Sequence, residues 1–298
     1  MTEWYPLRPE LADVLRDGGL DPAVVEEVIR RALDEDLALG PDVTTAATVP
    51  AGARATGDVV PRSPGVLAGV PVAAAVFGLV GGDDVDVALH AADGMAARTN
   101  APVLTVEGPT RALLTAERTA LNLVGHLSGV ATVTRRWVDA VAGTGAAIRD
   151  TRKTIPGLRV LEKYAVRCGG GANHRLALGD AALVKDNHVA AAGGITAAVE
   201  AVRAAAPDVP LEVECDTLDQ VREAIAAGVE LVLLDNFPLA DTRTAVELVR
   251  GTGVRLEASG GLSLERAAEV AATGVDYLAV GALTHSAPVL DLGFDLRG

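Results

Sequence analysis

The sequence predicts an α/β protein with two parts: an N-terminal α/β module over residues 1–112 and a parallel α/β barrel over residues 113–285. Three observations carry this reading. From about Ala146 onward, short apolar segments alternate with Ala-rich helical stretches at roughly 20–35 residue spacing, the pattern of strand-helix repeats in a parallel sheet. Each apolar segment ends in residues able to do chemistry, as the strand ends of a barrel do. The Gly-x-Gly-x-x-Gly turn of a dinucleotide-binding sheet is absent after the first strand, which favours a barrel over a doubly wound sheet.

Taken in order, Asp21-Pro22 opens a helix with an N-cap and a proline at its first position, and Val24, Val25, Val28, Ile29 and Ala32 recur at helical spacing. Strand-like pieces follow at Val59-Val60, Val66-Leu67, Val85–Leu89 and Val103–Val106, broken by Gly, Pro and Asp. A long helical region runs from Arg111 to Ala142, with an interruption expected near Gly125–Gly129. The barrel strands are expected near Ala146–Asp150, Ala182–Lys185, Leu211–Cys215, Leu231–Asp235, Val254–Ser259 and Tyr277–Val280. The tail, residues 286–298, is expected to pack on the N-terminal module.

Composition narrows the function. The formal net charge is −14, which argues against nucleic acid or an anionic membrane as a partner. Yet residues 149–185 hold eight Arg or Lys and only three Asp or Glu. A cationic island in an acidic chain points to a small, highly charged anion. Hydrophobic residues make up 49% of the chain, enough for a sizeable core. The two cysteines, Cys168 and Cys215, are too few for a disulfide framework and are expected to be free thiols. The N-terminus lacks the features of a signal peptide, and the longest apolar run, near Val72–Val80, falls short of the roughly 20 residues of a membrane span. A cytoplasmic protein is expected.

The strand ends supply the candidate site. The first strand runs into Thr151-Arg152-Lys153, the second ends at Lys185, the third at Glu214 and the fourth at Asp235. The fifth ends in Ser259-Gly260-Gly261 and the sixth in Val280-Gly281-Ala282, with His285 just beyond. Arg suits planar carboxylates, and Lys suits phosphates as a point charge. Glycine turns let backbone N–H groups approach a phosphate closely, and a following helix N-terminus favours an anion. Glu214 and Asp235, on neighbouring strands, can bind ribose hydroxyls, hold Mg²⁺ through water, or stabilise a developing cation. Alternatively they pair with Lys153 or Lys185. Glu212 shares a strand face with Glu214 and is expected to form a salt bridge inside the barrel. Arg118 reads as a solvent-facing helix residue, and no His, Cys or Asp spacing matches a zinc site.

Several segments together resemble the quinolinate phosphoribosyltransferase family. They are Ala116–Asn122, Asp150–Thr154, Glu162–Val166, Gly169–Arg175, Lys185–His188, Glu214–Asp216, Leu234–Asn236, Glu257–Gly261 and Val280–His285. One departure is Ala177, where the family pattern leads us to expect Gly or a polar residue. The resemblance implies an N-terminal α/β sandwich and an incomplete α/β barrel, the type II phosphoribosyltransferase fold, in a homodimer. Arg118 would be donated across the dimer interface into its neighbour's site. With Arg118, the residues Thr151, Arg152, Lys153, His174, Arg175 and Lys185 would bind quinolinate, and Lys153 and Lys185 would also contact the pyrophosphate. Glu214 and Asp235 would face the ribose of phosphoribosyl pyrophosphate, with Mg²⁺ as cofactor. Ser259, Gly260, Gly261, Val280, Gly281, Ala282 and His285 would hold its 5′-phosphate. Lys153, Lys185, Glu214 and Asp235 would be the catalytic set. Competing readings are a Schiff-base aldolase using Lys185, a transferase for another pyridine acid, and a non-catalytic sensor of phosphoribosyl ligands.

Overall fold

A computed structural model describes residues 4–297. Helices α1 (Pro9–Asp17), α2 (Pro22–Asp36) and α3 (Val43–Thr48) lead into strand β1 (Arg54–Pro61), the short β2 (Gly65–Val66) and α4 (Val70–Gly81). Strands β3 (Asp86–Leu89), β4 (Ala96–Ala97) and β5 (Leu104–Pro109) precede a long helix, α5 (Thr110–Ala140). Then come β6 (Ala147–Arg149), α6 (Arg159–Cys168), β7 (Ala182–Val184), α7 (Asp186–Ala192) and α8 (Ile195–Ala205). The repeat continues through β8 (Leu211–Cys215), α9 (Leu218–Ala226), β9 (Leu231–Asp235), α10 (Leu239–Val249), β10 (Arg255–Ser259), α11 (Ala267–Ala271) and β11 (Tyr277–Ala279). A single-turn α12 (Ala282–His285) and strand β12 (Leu292–Arg297) close the order.

The chain divides into two units. The first runs through Val133 and includes Ile155–Gly170 and the segment from Ser286 onward; the second is Thr134–Thr154 with Gly171–His285. The division therefore falls inside α5, not at the 112/113 boundary expected from the sequence. The reason lies in what α5 touches. Arg111 donates to the carbonyls of Val49 and Ala46, Ser128 Oγ bonds both the N–H and the C=O of Ala68, and Thr132 Oγ1 accepts from Val66 N. These bonds tie most of α5 to the first unit.

In the first unit an antiparallel sheet has the order β12-β1-β5-β3. The C-terminal tail is thus an edge strand, in antiparallel register with β1 from Thr56–Arg297 to Pro61–Leu292. Helix α4 packs on this sheet and is buried on nearly every face, which explains its continuous apolar sequence. Its N-terminus is capped by Asp93, whose carboxylate accepts from Gly69 N and Val70 N at 2.7 and 3.0 Å. Tyr164 of α6 donates to the same carboxylate at 2.6 Å. The cap of α2 is the expected one, with Asp21 accepting from Ala23 N at 2.9 Å.

Helix α5 is not interrupted at Gly125–Gly129. The glycines serve close approach instead. A Cβ at Gly129 would overlap the Pro288 carbonyl oxygen, and one at Gly125 would lie 3.1 Å from the Leu290 carbonyl oxygen. The incoming tail is held there by Leu290 N donating to Gly125 O at 3.0 Å.

The second unit holds a six-stranded parallel sheet of order β6-β11-β10-β9-β8-β7. Its first strand pairs with its last, the connection that closes a barrel. Among the described residues no ladder joins β6 to β7; a lone bridge from Arg149 to Ala172 lies beside β6. This is the incomplete barrel that the resemblance implies. Glu214, Asp235 and Ser259, at or next to the carboxyl ends of β8, β9 and β10, are only partly buried, whereas the strand residues before them are mostly buried.

Candidate active site

The carboxyl ends of the strands surround a cavity of about 450 Å³. Its wall carries Thr151, Arg152 and Lys153 after β6, His174 and Arg175 from the following loop, and Lys185 after β7. Glu214, Asp235 and Ser259 complete it from β8, β9 and β10. The chain thus brings together nine of the side chains predicted from sequence, on six structural segments.

Each is held by local bonds. Thr151 Oγ1 accepts from Lys153 N at 3.0 Å, and Thr284 Oγ1 donates to Lys153 O at 2.7 Å, which ties the end of β6 to α12. A Cβ on Gly281 would lie 3.0 Å from Lys153 Cδ and 3.4 Å from the His285 ring, so the second glycine turn lies against the lysine stem. Lys185 Nζ donates to Glu214 Oε2, the carboxylate-lysine pairing weighed as an alternative above. Asp235 accepts from Asn236 Nδ2 at 2.8 Å. Parallel register sets Asp235 directly beside Ser259.

Electrostatics favour an anion. Arg175 has its pKa lowered, first by burial and then by the neighbouring Arg152 guanidinium. Two guanidinium groups repelling each other in one pocket wall are stabilised when a carboxylate enters. Arg152 Nε is buried without a hydrogen-bond partner, a further donor in this wall.

The glycine turns differ in detail from expectation. Gly260 and Gly261 line an adjoining cavity of about 180 Å³, together with Asn236, Ser259, Ser263 and Arg266. Val280 is buried and its N–H donates to Arg149 O at 2.9 Å. Neither turn opens a long helix. A 3-10 turn and the five-residue α11 follow the first, and the four-residue α12, beginning at Ala282, follows the second. The helix-dipole contribution anticipated from sequence is correspondingly small, and the anion-binding capacity of the turns rests on backbone N–H groups and nearby side chains.

Arg118 does not join this cavity. It lies in the first unit on α5, with its side chain 65% exposed and 3.9 Å from Glu117. The departure at Ala177 is a matter of loop structure. The N–H groups of Leu176 and Ala177 both donate to the Asp180 carboxylate, at 2.6 and 2.8 Å.

Three residues stood in the matched segments without a role assigned to them. Asp150 is fully buried and accepts from Asn173 Nδ2 and His174 N. Glu257 reaches the cavity wall from inside the barrel and pairs with Arg149 at 2.6 Å. Period-2 alternation with Ser259 would have found it. Asn236 adopts φ 53°, which no sequence pattern signals beyond the tolerance of Asn for this region. Glu212 lies 2.7 Å from His174 Nε2 inside the barrel, a hydrogen bond to the imidazole where a salt bridge was expected.

The models of two family domains match the chain. The quinolinate phosphoribosyl transferase N-terminal domain matches residues 42–128, and the C-terminal domain matches residues 130–295. A nicotinate-nucleotide pyrophosphorylase (carboxylating) from Mycobacterium leprae is 59% identical, over 95% of this chain and all of its own length. The human protein of that description is 37% identical over 93% of both chains. The structure of a nicotinate-nucleotide pyrophosphorylase from Francisella tularensis superposes with a TM-score of 0.88 at 38% identity, covering 92% of this chain and 96% of that one. Both domains are matched in order, and the relatives are covered nearly end to end. The chain belongs to the quinolinate phosphoribosyltransferase family.

Proposed function

We propose that the protein transfers the phosphoribosyl group of phosphoribosyl pyrophosphate to quinolinate, with decarboxylation. The products are nicotinate mononucleotide, pyrophosphate and carbon dioxide, and the step belongs to de novo NAD biosynthesis. The observation that carries this reading is the pairing of Arg152 with Arg175 in a cavity that also holds two lysines and two rim carboxylates. Two highly anionic substrates must meet in one site. Like charges about 4 Å apart repel by roughly 4 kcal/mol at an effective dielectric near 20, so a cationic cage is needed to bring them together.

In this reading Arg152, Arg175, Thr151 and Lys153 grip the quinolinate carboxylates. Lys153 and Lys185 face the pyrophosphate as it leaves. Positive charge then builds on the ribose, and Glu214 or Asp235 stabilises it. The pyridine nitrogen attacks the anomeric carbon in a held geometry. The cationic ring nitrogen then eases loss of the adjacent carboxylate as carbon dioxide, because the carbanion left behind lies next to positive charge, and that carbon takes up a proton from water to give the mononucleotide. The Ser259–Gly261 turn and Gly281-Ala282, with His285, hold the 5′-phosphate through backbone N–H groups, the N–H of Val280 being taken by Arg149 O.

The rim also fits Mg²⁺. Lys185 occupies Oε2 of Glu214 and Asn236 occupies Oδ2 of Asp235, so one oxygen of each carboxylate remains for a hydrated hard cation. When bound, Mg²⁺ neutralises charge on the pyrophosphate. A homodimer completes the reading, with Arg118 of each subunit entering its neighbour's site. Its exposure on α5 supports this. We place the protein in the cytoplasm; no helix of the described residues is long and apolar enough to cross a membrane.

The test is incubation with quinolinate, phosphoribosyl pyrophosphate and Mg²⁺, following mononucleotide and carbon dioxide together. Equal yields are expected. Mononucleotide from nicotinate but not from quinolinate would overturn the acid pocket, and binding without turnover would favour the sensor. The aldolase reading is disfavoured because Lys185 Nζ donates to Glu214 rather than presenting a lone pair to a carbonyl.

A further inference from the structure

The loop that carries Arg175 is held by a chain of bonds that starts deep in the barrel. Asp150, fully buried at the end of β6, accepts from Asn173 Nδ2 at 2.6 Å and from His174 N at 2.8 Å. His174 is itself buried. Its Nδ1 lies 2.7 Å from the backbone N–H of Arg175, which donates to it. A ring nitrogen that accepts a hydrogen bond carries no proton, so the ring proton is on Nε2. Nε2 lies 2.7 Å from Glu212 Oε2 and donates to it. The tautomer thus follows from the geometry of the two contacts.

We propose that Glu212 and His174 are positioning residues for Arg175. Glu212 selects the Nε2–H tautomer, the exposed lone pair on Nδ1 fixes the Arg175 backbone, and the guanidinium is thereby aimed at a substrate carboxylate. The role of His174 changes accordingly. Both ring nitrogens are engaged by the protein, so it acts through Arg175 rather than as a carboxylate ligand itself. Arg175 Nη1 also donates to Ala181 O at 3.0 Å, which anchors the far side of the guanidinium. This inference rests on the functional reading above only for the identity of the carboxylate that Arg175 grips.

The surroundings explain why Glu212 is suited to the task. Glu257 Oε1 lies 3.5 Å from His174 Nε2, and Arg149 holds the other oxygen of Glu257 at 2.6 Å. Arg149 is fixed in turn over the Tyr277 ring, 4.5 Å from its centroid. Glu212 Oε1 and Glu257 Oε1 are both buried without a hydrogen-bond partner. A glutamine at position 212 would therefore keep a carbonyl oxygen for His174 and place an NH₂ group where an unpartnered oxygen now sits.

The experiment compares wild type with Glu212→Leu, Glu212→Gln and His174→Phe. Steady-state kinetics give KM for each substrate and kcat, calorimetry gives quinolinate affinity, and ¹⁵N spectra of the imidazole report the tautomer. We expect Glu212→Leu and His174→Phe to weaken quinolinate binding about tenfold or more, with KM for phosphoribosyl pyrophosphate nearly unchanged. Glu212→Gln should restore quinolinate binding and the Nε2–H tautomer. An Nδ1–H tautomer in wild type overturns the proposal whatever the activity, and so does a Glu212→Gln variant as weak as Glu212→Leu. Equal rises in both KM values would mark a merely structural role and also overturn it. If Glu212→Leu does not fold, His174→Phe and the wild-type tautomer still decide. A wild type with the expected tautomer that binds no quinolinate would overturn the functional reading instead, and with it the assignment of Arg175 to that acid.

Discussion

Replacing Gly260 by alanine separates two costs that the structure distinguishes. Gly260 has φ +83°, and a Cβ there would overlap the Asn236 carboxamide, meeting Cγ at 2.5 Å and Nδ2 at 2.8 Å as well as Oδ1. The neighbouring Gly261 has φ +57°, but its Cβ would meet only Asn236 Oδ1, at 3.6 Å. Both substitutions carry the left-handed backbone penalty of about 1–2 kcal/mol. Gly260→Ala alone must also displace Asn236, which holds Asp235 through an N–H···O bond of 2.8 Å. A hydrogen bond to a charged acceptor contributes about 1.5–3 kcal/mol, which corresponds to roughly a 10–100-fold loss if it falls on the reaction. We therefore expect both variants to melt a few degrees lower, by similar amounts. Only Gly260→Ala should lose kcat/KM for phosphoribosyl pyrophosphate on that scale beyond Gly261→Ala, with KM for quinolinate little changed. Melting curves and initial rates with each substrate varied provide the assay. Equal kinetic losses in the two variants would refute the coupling of Gly260 to Asp235 through Asn236.

Further outcomes follow from the same structure. Lys153→Ala should lower turnover by several orders of magnitude while the protein stays folded, and wild-type-like turnover would remove that lysine from the chemistry. Arg118→Ala and Lys153→Ala should each be inactive alone yet regain partial activity when mixed and allowed to exchange subunits; no recovery in mixed dimers would count against a shared site. Burial, then the charge of Glu212, push the Glu257 carboxyl up to about 7, against the pull of Arg149. A raised carboxyl pKa means the folded protein keeps a proton that the unfolded chain has lost, so this group's contribution is present below about 4.5 and fades as pH rises through 7, at no more than about 1.4 kcal/mol per pH unit. Glu257→Gln should flatten the melting temperature across that window relative to wild type, and parallel profiles would contradict the assignment. Burial also pushes the thiols of Cys168 and Cys215 up to about 11 and about 12, so native protein at pH 7.5 should resist iodoacetamide and denatured protein should not. Rapid alkylation of the native form would refute that.

The barrel strands were legible in the sequence to within a residue or two, because short runs rich in Leu, Val and Ala, unbroken in β9 and interrupted by inward-facing Glu212 and Glu257 in β8 and β10, alternate with helical stretches. The rim residues were legible because Lys185 and Asp235 follow directly on apolar runs, and Glu214 and Ser259 stand at or beside the ends of the neighbouring strands. Gly125 and Gly129 were misleading, since a glycine placed for close approach of the Pro288–Leu290 segment has the same local signature as one that ends a helix. The assignment of most of α5 to the first unit depends on Ser128 and Thr132 bonding strand and loop backbone some 60 residues away in sequence, which no window of the sequence contains.

The sequence by itself determined which side chains crowd the rim, because period and strand ends follow from the burial of apolar residues. Only the tertiary structure decided what those side chains are doing. The tautomer of His174, the pairing of Lys185 with Glu214 and the contact of Asn236 with Gly260 all depend on distances between residues on different strands and loops. Hydrogen bonds and charge pairs are short-ranged and directional, so they are settled by the packing of the whole barrel and not by any one of its strands.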